Sequence, residues 1–288
     1  MSGTVFKLGV LKLGCIGASP LLDLLLDERA DREDLDTMAF TSGAKLEPAA
    51  CALATASALQ YDPDLILMVS PNAALPGPKT SRTTVATANI PIIVVSDGPS
   101  KKAFYKKDEK GDPVVNVPKD QGFFVLPCDP MIGARREFLD PTEMSLFNAD
   151  VIRVLASTGV LRFIQDELDR VISGLKAGET VDMPKATVTP EQAVISGGFS
   201  NPYAKAKALA ALKVSESVAE VTSKGCFGEQ DATKYITLVA AGHEMMRAAA
   251  RLADEARELE KSEDSVLRSP HSSSGDRMRK FRLGDKPT

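Results

Sequence analysis

The sequence predicts an α/β fold: a parallel sheet with helices on both faces in the N-terminal half, followed by a helix-bundle region. Two observations carry this. Up to Leu126, short apolar runs alternate with helical segments, the pattern of repeated β–α units. From Pro141 onward the chain is almost entirely helical in its periodicity. The boundary follows: residues 1–140 as an α/β ligand-binding domain, and 141–288 as a helix-rich region with a small β insertion, which carries oligomerisation contacts and a substrate cleft.

The first unit is the apolar run Val5–Leu13, the turn Gly14-Cys15-Ile16-Gly17-Ala18-Ser19-Pro20, and a helix over Leu21–Asp27. Glycines let a backbone approach a ligand closely, and a helix N-terminus favours anions. The turn reads G-x-x-G rather than G-x-G-x-x-G, however. The next strand, Thr37–Phe40, ends in Thr41-Ser42-Gly43 with no acidic residue to hold a ribose, so the dinucleotide fingerprint fails twice. The turn is either a ligand cradle or a tight βα connection. The pattern repeats with a helix over Glu47–Gln60, a strand over Asp64–Val69 ending in Ser70-Pro71-Asn72, and a helix over Lys79–Ala88. A strand over Ile90–Val95 ends in Ser96-Asp97-Gly98, and one over Gly122–Leu126 ends in Cys128-Asp129. Parallel α/β sheets bind ligands outside the carboxyl ends of their strands. Cys15, Gly14, Gly17, Ser42, Ser70, Pro71, Asn72, Ser96, Asp97, Gly98, Cys128 and Asp129 are therefore candidate ligand-binding residues. Lys101–Val117 is a charged excursion that forms a β-hairpin turning at Lys110-Gly111-Asp112. It is either solvated or attracts an acidic ligand tail.

The joint between the halves is Met131–Gly159. Asp140-Pro141-Thr142-Glu143 is a helix start, with Asp140 as N-cap and Pro141 at the first position. Arg135 and Arg136 precede it. Their guanidinium forks suit phosphate or carboxylate, or else they pair with Glu137 and Asp140 and brace the joint. A helix over Pro141–Ser157 is followed by one whose stripe is Val160, Leu161, Ile164, Leu168, Val171, Ile172 and Leu175. Glu179–Val188 reads as loop or short edge strand, Ala193–Phe199 with its Gly197-Gly198 pair as linker, and Gly225–Gln230 as a turn. Pro202–Val221, capped by Asn201, and Tyr235–Glu263 read as long Ala-rich helices whose small residues suit either close bundle packing or a subunit interface. The tail from Ser269 is polar and basic, expected to pack only against another subunit or stay mobile.

Composition excludes several function classes. A net charge of −4 and an aromatic content of 5% without Trp argue against a nucleic-acid binder. No apolar run reaches the roughly 18–20 residues of a membrane span, and the N-terminus lacks a signal-peptide layout, so a cytoplasmic protein is expected. Cys15, Cys51, Cys128 and Cys226 form no C-x-x-C pair and are expected as free thiols. His243-Glu244-Met245-Met246-Arg247 lacks the second His of a zinc protease, and with His271 the only other histidine, a His-rich metal centre is excluded. His243 reads as a hydrogen-bonded packing residue. No nucleophile triad or P-loop stands out.

Several long stretches resemble the deazaflavin-dependent methylenetetrahydromethanopterin dehydrogenases of methanogenic and related archaea. They are LLLDERADREDLD, GARREFLDPTEMSLFNADVIRVLASTGVLRF, NPYAKAKALAAL, GCFGEQD and HEMMRAAARLADEARELEKSEDSVLRSPH, in order along the chain. The resemblance implies an oxidoreductase that reversibly oxidises the methylene group of a tetrahydromethanopterin-type one-carbon carrier to the methenyl cation. The hydride acceptor is the 8-hydroxy-5-deazaflavin coenzyme F420, a dissociable cosubstrate, and no metal, flavin or iron–sulfur cluster is implied. It further implies a small antiparallel β region and a homo-oligomer, a hexamer assembled from dimers. Direct hydride transfer asks a protein for positioning and electrostatics rather than a nucleophile, which accounts for the missing catalytic motif. Both ligands carry acidic tails, so Lys12, Lys79, Arg82, Arg135 and Arg136 become candidate anchors. The product is a cation, so Asp97, Asp129, Glu137 and Asp140 are candidate charge stabilisers. Two other readings compete: a non-catalytic regulatory α/β protein that binds a small ligand, and a nicotinamide-dependent dehydrogenase. The missing acidic strand end speaks against the second.

Overall fold

In the computed structural model, which describes residues 5–288, the first half alternates as the periodicity predicts. It runs β1 (Phe6–Lys12), the single turn α1 (Ala18–Leu21), β2 (Leu35–Thr41), α2 (Pro48–Gln60), β3 (Leu65–Ser70), α3 (Pro76–Thr87) and β4 (Ile92–Asp97). A second short helix, α4 (Lys101–Phe104), leads into the antiparallel hairpin β5 (Tyr105–Lys107) and β6 (Pro113–Val115), and then β7 (Gln121–Leu126) follows. The second half comprises α5 (Pro141–Ser157), α6 (Val160–Lys176), β8 (Lys185–Thr187), α7 (Pro190–Gly197), α8 (Pro202–Ser223) and α9 (Ala232–Ser262).

The main sheet has six strands in the order β2-β1-β3-β4-β7-β8, every neighbouring pair parallel. β3, β4 and β7 are buried at every residue, because both faces of the sheet are covered; this is why they read as unbroken apolar runs. Side chains still alternate between faces. Leu67, Val69, Ile93, Val95, Phe124 and Leu126 join one core with residues of the helical half. Ile66, Met68, Ile92, Val94, Phe123 and Val125 join a second core under α2, α3 and Phe104. The region after residue 140 is thus one cover of the sheet and also supplies its sixth strand. On α6 the predicted stripe faces inward, with Val160, Ile164, Leu168, Val171 and Ile172 buried; each such side chain contributes about 1.5–3 kcal/mol of burial free energy.

Three expectations are corrected, and a fourth, on the Ala-rich helices, takes its bundle-packing form. The helix expected over Leu21–Asp27 ends at Leu21. Leu22, Leu25 and Leu26 are buried, but the backbone there follows turns, and the carbonyl of Leu26 accepts from the Arg32 guanidinium rather than from a helical N–H. The expected linker Ala193–Phe199 is largely α7. Thr189 and Gln192 form a reciprocal capping box, and Gly198, at φ 65°, closes the helix as a left-handed C-cap. In α8 and α9, Ala204, Ala208, Ala211, Ala249, Ala253 and Ala256 are fully buried, the close bundle packing that small residues permit, while Ala206, Ala210, Ala241 and Ala248 are exposed. The tail is neither loose nor dependent on another subunit. His271 is fully buried, with its ring nitrogens 3.1 Å from Glu28 Oε2 and 2.9 Å from Asp169 Oδ1, and Arg277 pairs with Asp166.

Candidate active site

The strand order switches between β1 and β3, with β2 added on one side and β4 on the other, the place where open α/β sheets bind ligands at their carboxyl edge. Gly14 and Cys15 lie on one side, Pro71 and Asn72 on the other. Gly14 has φ 77°, and a Cβ there would lie 3.0 Å from Pro71 Cδ, so the glycine permits both the turn and the close approach. Its N–H lies 3.4 Å from Ser42 Oγ. Ser70 and Ser96 are buried; the Ser96 hydroxyl donates to the Ser70 carbonyl, and Ser100 Oγ accepts from Ala73 N at 2.8 Å. These hydroxyls tie strand ends to one another. Cys15 is exposed and Cys128 buried, and burial raises both thiols above the ordinary cysteine range.

Two carboxyl groups stand beneath this edge. Asp129, fully buried after β7, accepts from Gly17 N at 2.7 Å and Ala18 N at 2.8 Å. The N–H groups of the glycine turn, expected to face a ligand anion, are therefore spent on an internal carboxyl. Asp97 ends β4, is 1% exposed, and accepts from Gly98 N and from Met131 N, the latter at 3.3 Å. Burial pushes Asp129 up to about 7 despite its two N–H donors. Burial, with repulsion from Asp129 added, pushes Asp97 up to about 8. Glu137 and Asp140 have other duties: Glu137 is exposed and accepts from Tyr235 Oη at 3.0 Å, while Asp140 caps α5 by accepting from Glu143 N at 2.8 Å.

The joint loop 131–140 is held against the helical half. Arg135 donates from Nε to Gly225 O at 3.1 Å and from Nη2 to Glu229 O at 2.8 Å, with its guanidinium 4.2 Å from the Tyr235 ring centroid. The fork expected to grip an anion thus grips two carbonyl oxygens. It braces the joint, though with different partners from the Glu137 and Asp140 considered in the sequence. Arg136 is exposed and has no ion pair among the described residues. His243 is 8% exposed and packs against Phe138 and Phe147. Burial lowers its pKa, so the ring is neutral near pH 7, and its Nε2 donates to Gly133 O at 3.3 Å. Lys12 pairs with Asp23 at 2.6 Å, and Arg82 lies against Phe104 with its charge disfavoured by burial. Lys79 is exposed along α3.

Facing Asp97 across a narrow cleft is a five-residue π-helical turn, Lys224–Gly228, continuous with α8. The cleft is lined by Asp97, Pro99, Met131 and Ile132 on the sheet side and by Thr222, Cys226 and Phe227 on the other. Two glycines make this wall possible: a Cβ on Gly225 would press on Val239, and one on Gly242 would clash with Thr222. Asp97 is thereby brought together with residues that sequence reasoning had not selected: Pro99, Met131, Ile132, Thr222, Cys226 and Phe227. Their one available signal was a Phe flanked by Gly225 and Gly228 in what reads as a surface turn. Among the described residues, no group of three or more His, Cys, Asp or Glu is placed to hold a metal ion.

A profile of the family described as methylene-5,6,7,8-tetrahydromethanopterin dehydrogenase matches residues 6–288. The F420-dependent methylenetetrahydromethanopterin dehydrogenase of Archaeoglobus fulgidus is 53% identical over 283 residues, covering 98% of this chain and 99% of that protein. The protein of the same name from Methanocaldococcus jannaschii is 47% identical over 284 residues, again with 98% and 99% coverage. A solved structure of an F420-dependent methylene-tetrahydromethanopterin dehydrogenase, in complex with methylene-tetrahydromethanopterin and coenzyme F420, superposes with a TM-score of 0.89 at 41% identity, over 99% of this chain and 100% of that one.

Proposed function

The chain belongs to the F420-dependent methylenetetrahydromethanopterin dehydrogenase family, and from that premise we propose how its cleft serves the reaction. The protein is an oxidoreductase of archaeal one-carbon metabolism. It moves a hydride between methylenetetrahydromethanopterin and coenzyme F420, leaving the methenyl cation on the pterin side. The observation that carries this is the match over the whole length, in sequence and in fold, to relatives of that name.

The cleft is narrow, its walls are apolar at Pro99, Met131, Ile132 and Phe227, and Asp97 is among the residues that line it. Coenzyme F420, when bound, supplies the acceptor for the hydride. The chain's part is positioning and charge. Apolar walls exclude water and strengthen any charge interaction inside. Asp97 is held neutral near pH 7 by burial and by repulsion from Asp129. Positive charge developing on the substrate favours the ionised form of Asp97, as do the N–H groups of Gly98 and Met131 that donate to it. Asp129 anchors the glycine turn beside it. Arg136 and Lys79 are exposed and suit the acidic ligand tails. The family resemblance supports an intracellular homo-hexamer built from dimers; no single helix is long and apolar enough to cross a membrane.

The test is a spectrophotometric assay of purified protein. Methylenetetrahydromethanopterin should reduce F420 and leave a nicotinamide cofactor oxidised. Nicotinamide reduction, or no reduction of either acceptor, overturns the assignment.

A further inference from the structure

Phe227 is 71% exposed, yet the segment that carries it is tightly held. Arg135 clamps the carbonyls of Gly225 and Glu229 on either side, Cys226 Sγ accepts from Ala134 N at 3.2 Å, and Gly225 is wedged against Leu238 and Val239. The backbone is a π-helical turn, a conformation that is rare and concentrated at functional sites. A rigid backbone that presents a free aromatic ring is a different situation from a loop residue left over at the surface. Leaving a Phe in water forgoes the free energy its ring would gain by burial. The ring shares its cleft with Asp97, Pro99 and Met131, which places a second, independent marker of the site beneath it.

We propose that Phe227 is a positioning residue. Its ring packs against the flat face of a bound heterocycle, one of the two ring-bearing ligands of the reaction, and holds that face over Asp97. This rests on the reaction assigned above. Aromatic rings recognise heterocycles through their π-faces, a contact that fixes the plane of a ligand while making no demand on its hydrogen-bonding groups. Hydride transfer needs that plane held, because the reacting carbons must meet face to face at close range.

The experiment compares wild type with Phe227→Ala, Phe227→Leu and Phe227→Tyr in the full-length protein. Each ligand is titrated separately, F420 by its fluorescence and methylenetetrahydromethanopterin by calorimetry, alongside kinetics, thermal melting and native mass. Phe227→Ala should weaken binding, and raise KM, for one ligand by roughly ten- to hundredfold, the range of a lost ring–ring stack. Phe227→Tyr should restore it and Phe227→Leu should restore it only in part, with melting temperature and native mass unchanged throughout. The ligand whose binding weakens is the one stacked. Unchanged binding of both ligands in an active Phe227→Ala protein overturns the proposal alone, as does a change in native mass, which would make the ring a subunit contact. A wild-type protein inactive with both ligands overturns the reaction assignment and this proposal with it.

Discussion

Asp97 and Asp129 carry a pH signature that surface carboxylates lack. Their folded values, about 8 and about 7, lie above the ~3.9 of an aspartate in an unfolded chain. From roughly pH 4 upward the unfolded chain has released these protons while the native protein keeps them. The native state therefore binds more protons, and stability falls as pH rises until the folded values are passed. His271 acts in the same direction above about pH 6.5: burial alone would lower its pKa, but the bonds and charges of Asp169 and Glu28 outweigh that and raise it. Denaturant titrations between about pH 5 and 8 should show this decline, and Asp97→Asn should reduce its slope by on the order of 1 kcal/mol per pH unit. The same variant should lose roughly a hundredfold in kcat/KM if the carboxylate faces the developing cation. Normal turnover in Asp97→Asn would remove that role. The neighbouring arginines separate just as cleanly. Arg135→Ala removes two charge-assisted bonds and the stack on Tyr235, so it should cost about 1.5–3 kcal/mol and lower the melting temperature. Arg136→Ala should leave melting unchanged and raise a KM. The reverse pattern would exchange their roles.

At the scale of elements, the C-terminal segment behaves as part of the fold. Backbone bonds between Arg268 and Lys280, at 2.8 and 3.0 Å, close it into a loop. His271 then plugs it between Glu28, on the chain after α1, and Asp169 on α6. Replacing His271 by Leu leaves two half-buried carboxylates without their shared donor. A loss of about 1–3 kcal/mol is expected, with the tail cleaved by protease before the rest of the chain. Uniform resistance to proteolysis in that variant would mean that the Arg277–Asp166 pair suffices. The turn between α8 and α9 obeys the same logic of long-range bracing: its shape depends on Gly225 and Arg135 together.

For the whole molecule, one set of alanines of α8 and α9 packs inside the chain, while Ala206, Ala210, Ala241 and Ala248 are exposed and suit a subunit interface. Leu53, Ile195 and Tyr203 are each more than 70% exposed, on three different helices. Light scattering at micromolar concentration should give an oligomer, and charged substitutions at one of these positions should shift its mass. A monomer in the wild type would count against the hexamer.

The order of strands and helices, the buried central strands, the Asp140 cap and the apolar stripe of α6 were all legible in the sequence. Each rests on local spacing, and period two or period 3.6 is a property of adjacent residues. The family was legible too, in stretches spread along the chain. α7 was within reach, since Thr189-Pro190-Glu191-Gln192 is a capping box, but the Gly197-Gly198 pair drew attention as a linker when it was a helix end. The site was legible only as a set of strand ends. Which carboxyl faces a cleft, which arginine is spent, and which Phe is left exposed were decided by contacts across the fold: Gly17 with Asp129, Arg135 with Glu229, Asp97 with Met131. A polar side chain at a strand end has the same local sequence whether it faces a ligand or a neighbouring backbone amide. Only the packing of the helical half against the sheet settles where its hydrogen bonds go.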